Sequence, residues 1–145
     1  MWILKGHSWI VEARLGTVLI VDDEALDQKM YKRVIERSGL AANVLTFNYP
    51  DEALAYLGEA GRDAVDVLLI DVNMPRMSGY EFLSRAKVEL GQQFAELTVA
   101  ILTTVQDPLE EGRAREMPKV DHVLCKPLTI EDLQLIASTR SAGLG

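Results

Sequence analysis

Short apolar runs alternate with amphipathic stretches along the chain from residue 17 onward. Five of these runs are four or five residues long and have the apolar, β-branched composition of buried strands. They cover residues 17–21, 43–47, 67–70, 98–102 and 121–124. The longer stretches between them carry apolar residues at helical spacing. This alternation predicts a doubly wound α/β domain, in which helices cover both faces of a parallel five-stranded sheet.

Five helices are predicted to flank the sheet. In the first, Leu26, Met30 and Val34 recur at i, i+4 and i+8 and form one apolar stripe, which is usually the side that faces the core. The others are predicted over residues 50–58, 78–90 and 107–118, and from residue 129 onward. Thr129 and Asp132 have the spacing of a capping box, which indicates where the last helix begins.

Length and composition narrow the class of protein. The chain has 145 residues, the size of one globular domain, and a formal net charge of −7. Without a cluster of Lys and Arg, this charge argues against direct binding to nucleic acid. The single cysteine, Cys125, excludes an intrachain disulfide. No apolar run reaches the ~20 residues that cross a bilayer, so we expect a cytoplasmic protein without membrane contact.

Three regions are expected along the chain. Residues 17–140 form the folded domain, and residues 141–145 form a short C-terminal tail. Residues 1–16 contain both tryptophans but lack the basic and continuous apolar regions of a signal peptide. An added strand or helix, a partner-binding arm and a translated leader without a structural role all remain open for this N-terminal extension.

Polar residues follow the predicted strands at their carboxyl ends, which in a parallel sheet meet at the edge where ligands bind. They are Asp22 and Asp23, Asp71, Thr103 and Thr104, and Lys126 with Pro127. Three carboxylates packed together repel one another unless a cation neutralises them. Oxygen ligands without Cys or His favour Mg²⁺, with Mn²⁺ as the alternative.

These residues suggest phosphoryl chemistry. We predict that Asp23 and Asp71 bind the metal directly, with the backbone carbonyl of Asn73 as a third ligand and Asp22 acting through water. Once ionised, Asp71 can attack a phosphoryl group in line and become an aspartyl phosphate. Lys126 and Thr103 are predicted to donate to the phosphoryl oxygens.

Four short motifs occur in order along the chain: VDDE at 21–24, DVNMPRMSG at 71–79, ILTT at 101–104 and CKP at 125–127. Together they resemble the receiver domain of bacterial two-component response regulators, over residues 17–139. The resemblance implies a flavodoxin-like fold with strand order 2-1-3-4-5. It also implies an aspartate that accepts a phosphoryl group from a sensor histidine kinase or a histidine phosphotransfer protein.

The resemblance gives roles to residues of this chain: Asp71 is the phosphoacceptor, Asp22 and Asp23 are the acidic pair, Thr103 is the switch hydroxyl and Lys126 is the active-site lysine. The Lys126–Pro127 peptide is expected to be cis. Receivers commonly place Tyr or Phe three residues before the lysine, where this chain has Val123. Aromatic switching is therefore in doubt, and we expect output through Thr103, Thr104, Val123 and Pro127.

The chain ends soon after the last predicted helix. We therefore expect a chemotaxis-type single-domain regulator, a monomer or weak homodimer, that signals by contact with an unidentified downstream protein. Beyond Mg²⁺-dependent self-phosphorylation from a phosphodonor and autodephosphorylation, no independent enzyme activity is expected.

Two alternatives remain at this stage. The first is a degenerate receiver that acts as a phosphorylation-independent binding module, which Val123 favours. The second is a magnesium phosphatase of the haloacid-dehalogenase type, which would want an acid where Asn73 stands.

Overall fold

The computed structural model describes residues 2–5, 8–11, 14–104, 109, 112–113, 116–117 and 119–144. Within the N-terminal extension, β1 (Trp2–Lys5) and β2 (Ser8–Val11) pair as an antiparallel two-stranded sheet. The backbone register places Trp2 opposite Val11. A strand structure is one of the alternatives that the sequence leaves open for this extension.

The domain is built on a parallel five-stranded sheet. Its strands are β3 (Gly16–Val21), β4 (Ala41–Phe47), β5 (Val67–Asp71), β6 (Thr98–Thr103) and β7 (His122–Cys125). Their order is β4-β3-β5-β6-β7, which is 2-1-3-4-5 when the strands of the domain are numbered from its own first strand. Every residue of β5 is buried because this strand lies at the centre of the sheet, between β3 and β6. The predicted sheet and its order are confirmed.

Helices cover both faces of the sheet. They are α1 (Ala25–Ser38), α2 (Pro50–Leu57), α3 (Gly79–Leu90), α4 (Gln92–Ala95) and α5 (Ile130–Leu144). One core cluster joins one side of β3, β5 and β6 to α1 and α5. The second cluster joins the other side of the sheet to α2, α3 and α4. The chain therefore has the flavodoxin-like architecture that the sequence predicts.

Two predicted helix features have different outcomes. At the start of α5, the Thr129 N–H donates to Asp132 Oδ2 at 3.0 Å and the Asp132 N–H donates to Thr129 Oγ1 at 3.1 Å. This confirms the capping box.

Of the helix predicted over residues 107–118, the structure describes residues 109, 112, 113 and 116 as helical and residue 117 as a bend. The rest of that prediction lies outside the described residues.

The apolar stripe predicted for α1 is not the face that packs on the sheet. Leu26 is 69% exposed and Met30 is 48% exposed, whereas Gln28 is buried. The reason is a hydrogen-bonding one: Gln28 Nε2 donates to the carbonyls of Asp22 at 3.0 Å and Phe47 at 2.7 Å. These two bonds tie α1 to the ends of β3 and β4. They place Gln28 on the same inward face as Tyr31 and Ile35 and leave part of the predicted stripe in solvent.

Candidate functional site

Three carboxylates meet at the carboxyl edge of the sheet. Asp22 and Asp23 follow β3, and Asp71 ends β5, which is the neighbouring strand. One carboxylate oxygen from each of the three residues lies within 4.8 Å of the others. Asp22 and Asp71 are buried, and Asp23 is half-buried. The parallel register of β3 and β5 therefore creates a compact cluster of negative charge.

Lys126 enters this cluster from the turn after β7. Its Nζ lies 3.3 Å from Asp71 Oδ1, 3.5 Å from Asp22 Oδ2 and 3.3 Å from Asp27 Oδ2. The Lys126 side chain is 15% exposed. The Lys126–Pro127 peptide is cis, as the resemblance implies. The third carboxylate, Asp27 in the first turn of α1, is absent from the predicted site.

Burial is the main influence on the charges of the cluster. It raises the pKa of Asp22 from its ordinary value of 3.8 to about 6, although the Glu24 N–H and the Lys126 ammonium favour the ionised form. It also raises the pKa of Asp71, against the opposing effects of Lys126 and the Asn73 N–H. Burial alone would lower the pKa of Lys126, but neighbouring anions, Asp71 first, hold that pKa above its ordinary value.

The cluster thus carries more potential negative charge than Lys126 balances. Asp22, Asp23 and Asp71 supply only hard oxygen donors, and they are close enough together to bind one ion. This donor set and the cost of ionising two buried carboxylates fit a divalent cation such as Mg²⁺. The backbone N–H of Asn73 donates to Asp71 Oδ1 at 3.3 Å. Asn73 therefore lies beside the cluster, with an exposed side chain.

Thr103 and Thr104 occupy different environments at the end of β6. Thr103 is buried, and its carbonyl accepts a hydrogen bond from the Lys126 N–H at 2.8 Å. The backbone thereby places Lys126 beside the end of β6. Thr104 is exposed and lines a cavity of about 240 Å³ with Tyr31 and Lys126. Pro127, also exposed, lines the same cavity.

Val123 faces the core on the α2 and α3 side of the sheet. It is half-buried and pairs in register with Ile101 of β6, two residues before Thr103. His122 precedes it on the strand and so points to the opposite face. An aliphatic side chain therefore occupies the position where receivers commonly carry an aromatic ring.

Gly79, the first residue of α3, lies directly against the strand that carries Asp71. Its N–H donates to the Val72 carbonyl at 2.9 Å. A Cβ atom at this position would lie 2.7 Å from the Asp71 carbonyl oxygen and 3.1 Å from Val72 Cα. Sequence reasoning missed this requirement, although the glycine that ends DVNMPRMSG was the available signal.

We expect Gly79→Ala to displace the backbone of Asp71, because the added methyl group would overlap a carbonyl oxygen that cannot rotate away. The free energy of unfolding should fall by about 1–3 kcal/mol, the usual cost of overpacking, as measured by urea unfolding. Gly58→Ala is the matched control, since a Cβ there would have its nearest neighbour at 3.6 Å in a helical conformation. Equal stability of the two variants would contradict the expected clash.

The response regulator receiver domain family matches residues 18–138 of the chain. The chain therefore belongs to the response regulator receiver domain family, and it is a receiver domain of phosphorelay signalling. None of the helices in the described part of the chain has the length and apolar content that a bilayer crossing needs.

Two of the curated relatives are response regulators. The chain is 34% identical over 128 residues to the cyclic di-GMP phosphodiesterase response regulator RpfG of Xanthomonas campestris pv. campestris, covering 88% of this chain and 32% of the relative. It is 31% identical over 125 residues to the two-component response regulator ARR22 of Arabidopsis thaliana, and the match covers 86% of this chain and 83% of the relative. The chain spans between 32% and 59% of the length of the first four curated relatives it matches.

Solved structures show the same fold. A two component response regulator from Cytophaga hutchinsonii superposes with a TM-score of 0.82 at 24% identity, covering 88% of this chain and 98% of that one. The chemotaxis response regulator CheY4 of Vibrio cholerae superposes with a TM-score of 0.70 at 28% identity, and the match covers 87% of this chain and 98% of that one.

Proposed function

We propose that Asp71 accepts a phosphoryl group from a sensor histidine kinase or a histidine phosphotransfer protein. A downstream protein then reads the changed surface. The observation that carries this proposal is the position of the Lys126 ammonium, 3.3 Å from Asp71 within a cluster of three carboxylates. An ammonium held there can meet charge that develops on a phosphoryl group at Asp71.

We assign the metal-binding role to Asp23, Asp71 and the backbone carbonyl of Asn73, with Asp22 acting through water. When bound, Mg²⁺ or Mn²⁺ neutralises carboxylate charge and stabilises the charge of the transferring group. Without a cation, burial favours the protonated form of Asp71. The ionised form is the nucleophile, so the acidic cluster and its cation belong to the same function.

In the proposed reaction, a carboxylate oxygen of Asp71 forms a bond to phosphorus while the bond from phosphorus to the donor atom breaks. The donor atom leaves with the electron pair of that bond. Lys126 donates to one phosphoryl oxygen and the Thr103 hydroxyl donates to a second. The Lys126 N–H bond to the Thr103 carbonyl couples the backbone positions of these two residues.

The proposed output surface contains Thr103, Thr104, Val123 and Pro127. Movement of Thr103 toward the phosphoryl group would reach Val123 through β6, because Ile101, the register partner of Val123, lies two residues before Thr103. The two-state equilibrium of this surface would then shift with phosphorylation. We further propose that the protein works in the cytoplasm as a monomer or weak homodimer.

Incubation with Mg²⁺ and acetyl phosphate tests the proposed chemistry. We expect a phosphoryl adduct on the intact protein, detected by mass spectrometry, that is lost with EDTA and in Asp71→Asn. Absence of an adduct under conditions where the protein is folded would support the phosphorylation-independent binding module instead. Continuous turnover of phosphate esters would support the phosphatase alternative, in spite of Asn73.

A further inference from the structure

The Lys126 ammonium is bound from two sides. On the sheet side it contacts Asp22 and Asp71, which belong to the proposed metal and phosphoryl site. On the α1 side it contacts Asp27 Oδ2 at 3.3 Å and lies 5.9 Å from the centroid of the Tyr31 ring. Asp27 and Tyr31 are four residues apart, so they lie on the same face of α1. The helix therefore supplies a second set of contacts for this lysine.

The lysine is shared between the two sides. Nζ donates hydrogen bonds to Asp22 Oδ2 and to Asp27 Oδ2, and it forms an ion pair with Asp71 Oδ1 at 3.3 Å. Phosphorylation of Asp71 would change the charge and position of acceptors on the sheet side. Asp27 lies outside the three-carboxylate cluster. It can therefore hold the ammonium before, during and after phosphoryl transfer.

Hydrogen bonds of the neighbouring residue fix the position of Asp27. The next residue, Gln28, is buried and donates hydrogen bonds to the carbonyls of Asp22 and Phe47. The first turn of α1 is thereby tied to the strand end that carries the acidic pair. The Asp27 carboxylate also lies near the positive end of the α1 dipole, which stabilises a negative charge in the first turn.

We infer that Asp27 is a positioning residue that holds the Lys126 ammonium on the α1 side of the acidic cluster, ready for an incoming phosphoryl group. Without it, and with Asp22 and Asp71 engaged by the cation, the flexible lysine chain turns toward solvent. This places the ammonium away from the phosphoryl oxygen that it must meet. This inference rests on the proposed function, because it assigns Lys126 a role in phosphoryl transfer.

The first test compares phosphorylation rates. We expect Asp27→Asn to slow adduct formation by about fivefold at saturating Mg²⁺ and acetyl phosphate, the effect of a lost positioning contact. The Kd for Mg²⁺ should stay within about twofold of the wild-type value, since none of the proposed ligands is changed. Asp27→Glu, which keeps the charge, should recover part of the rate.

Asp51→Asn is the matched control. Asp51 lies in the first turn of α2 and its side chain is 62% exposed, at 3.9 Å from an exposed Arg76. The substitution removes the same charge from the same part of a helix, at a residue that is not among the carboxylates paired with Lys126. We expect its rate to equal that of the wild type. An Asp27→Asn rate equal to or faster than this control would overturn the inference.

The second test needs no phosphorylation. Brief labelling with acetic anhydride at saturating Mg²⁺, read by mass spectrometry, reports the accessibility of each lysine amine. We expect labelling of Lys126 to rise in Asp27→Asn relative to Lys29, which is exposed in α1. Unchanged labelling would overturn the inference.

The two tests separate this inference from the proposed function. If the wild type forms no adduct, the proposed function fails, and labelling still decides whether Asp27 holds Lys126. If the wild type forms an adduct and Asp27→Asn matches it, only the role of Asp27 fails. Should Asp27→Asn not fold, Asp27→Glu provides both measurements, with a reduced rate and raised labelling as the expected results.

Discussion

Replacing Lys126 with methionine is expected to slow phosphorylation of Asp71 by about 100-fold, the usual loss when one preorganised donor to a developing charge is removed. The physical reason is that Lys126 is the cation within 3.3 Å of Asp71 among the described residues. Methionine keeps much of the apolar chain length and removes the charge. The rate of adduct formation from acetyl phosphate, at saturating Mg²⁺, measures the effect.

Lys126→Met should slow phosphorylation without weakening metal binding. The ammonium and a divalent cation compete for the carboxylates of Asp22 and Asp71, so Lys126→Met should bind Mg²⁺ as tightly as the wild type or more tightly. Lys119→Met is the control, because Lys119 pairs with Asp121 at 3.7 Å, next to the amino-terminal end of β7. A Lys126→Met protein that phosphorylates at the wild-type rate would rule out the proposed role of this lysine.

The metal-free protein is expected to lose stability as the pH rises from about 4 to about 6, because Asp22 is easier to ionise in the unfolded chain than in the fold. Its pKa is raised from 3.8 to about 6 by burial. Between these values the folded state holds a proton that the unfolded state releases, so stability is greatest below the lower pKa and declines through the higher one. The expected contribution is about 3 kcal/mol.

Urea unfolding in EDTA at pH 4.5 and 7.5 measures this effect against Asp22→Asn, which cannot ionise. We expect the variant to be less sensitive to this pH change than the wild type, and Mg²⁺ to restore wild-type stability at pH 7.5. Asp63→Asn is a control of equal charge, because Asp63 lies in an exposed segment. A wild type and an Asp22→Asn variant with the same pH dependence would contradict a buried, hard-to-ionise Asp22.

The fold could be predicted from local patterns to a large extent. The three central strands, β3, β5 and β6, are almost continuous apolar runs because both faces of the sheet are covered there. The face of α1 that packs inward could not be predicted this way. By residue type Gln28 is polar and Met30 is apolar, so the sequence favours burial of Met30. In the fold Gln28 is the buried residue, because it donates hydrogen bonds to two strand ends that lie elsewhere in the chain.

The candidate site likewise contains residues that the sequence could predict and residues that it could not. Asp22, Asp71 and Thr103 could be selected because each residue ends or directly follows an apolar strand. Gly79 was missed because its requirement is a close approach of α3 to the backbone of Asp71. Asp27 was missed because an acidic residue in the first turn of a helix is common without any functional role.

By itself, the sequence determined which segments become buried strands and which polar residues end them, because hydrophobic periodicity is a local property. Only the tertiary structure decided which charges meet. Lys126 reaches Asp22 across 104 positions of sequence and Asp27 across 99. Such contacts depend on strand order, on register and on the anchoring of α1, and each of these results from the packing of the whole domain rather than from any one segment.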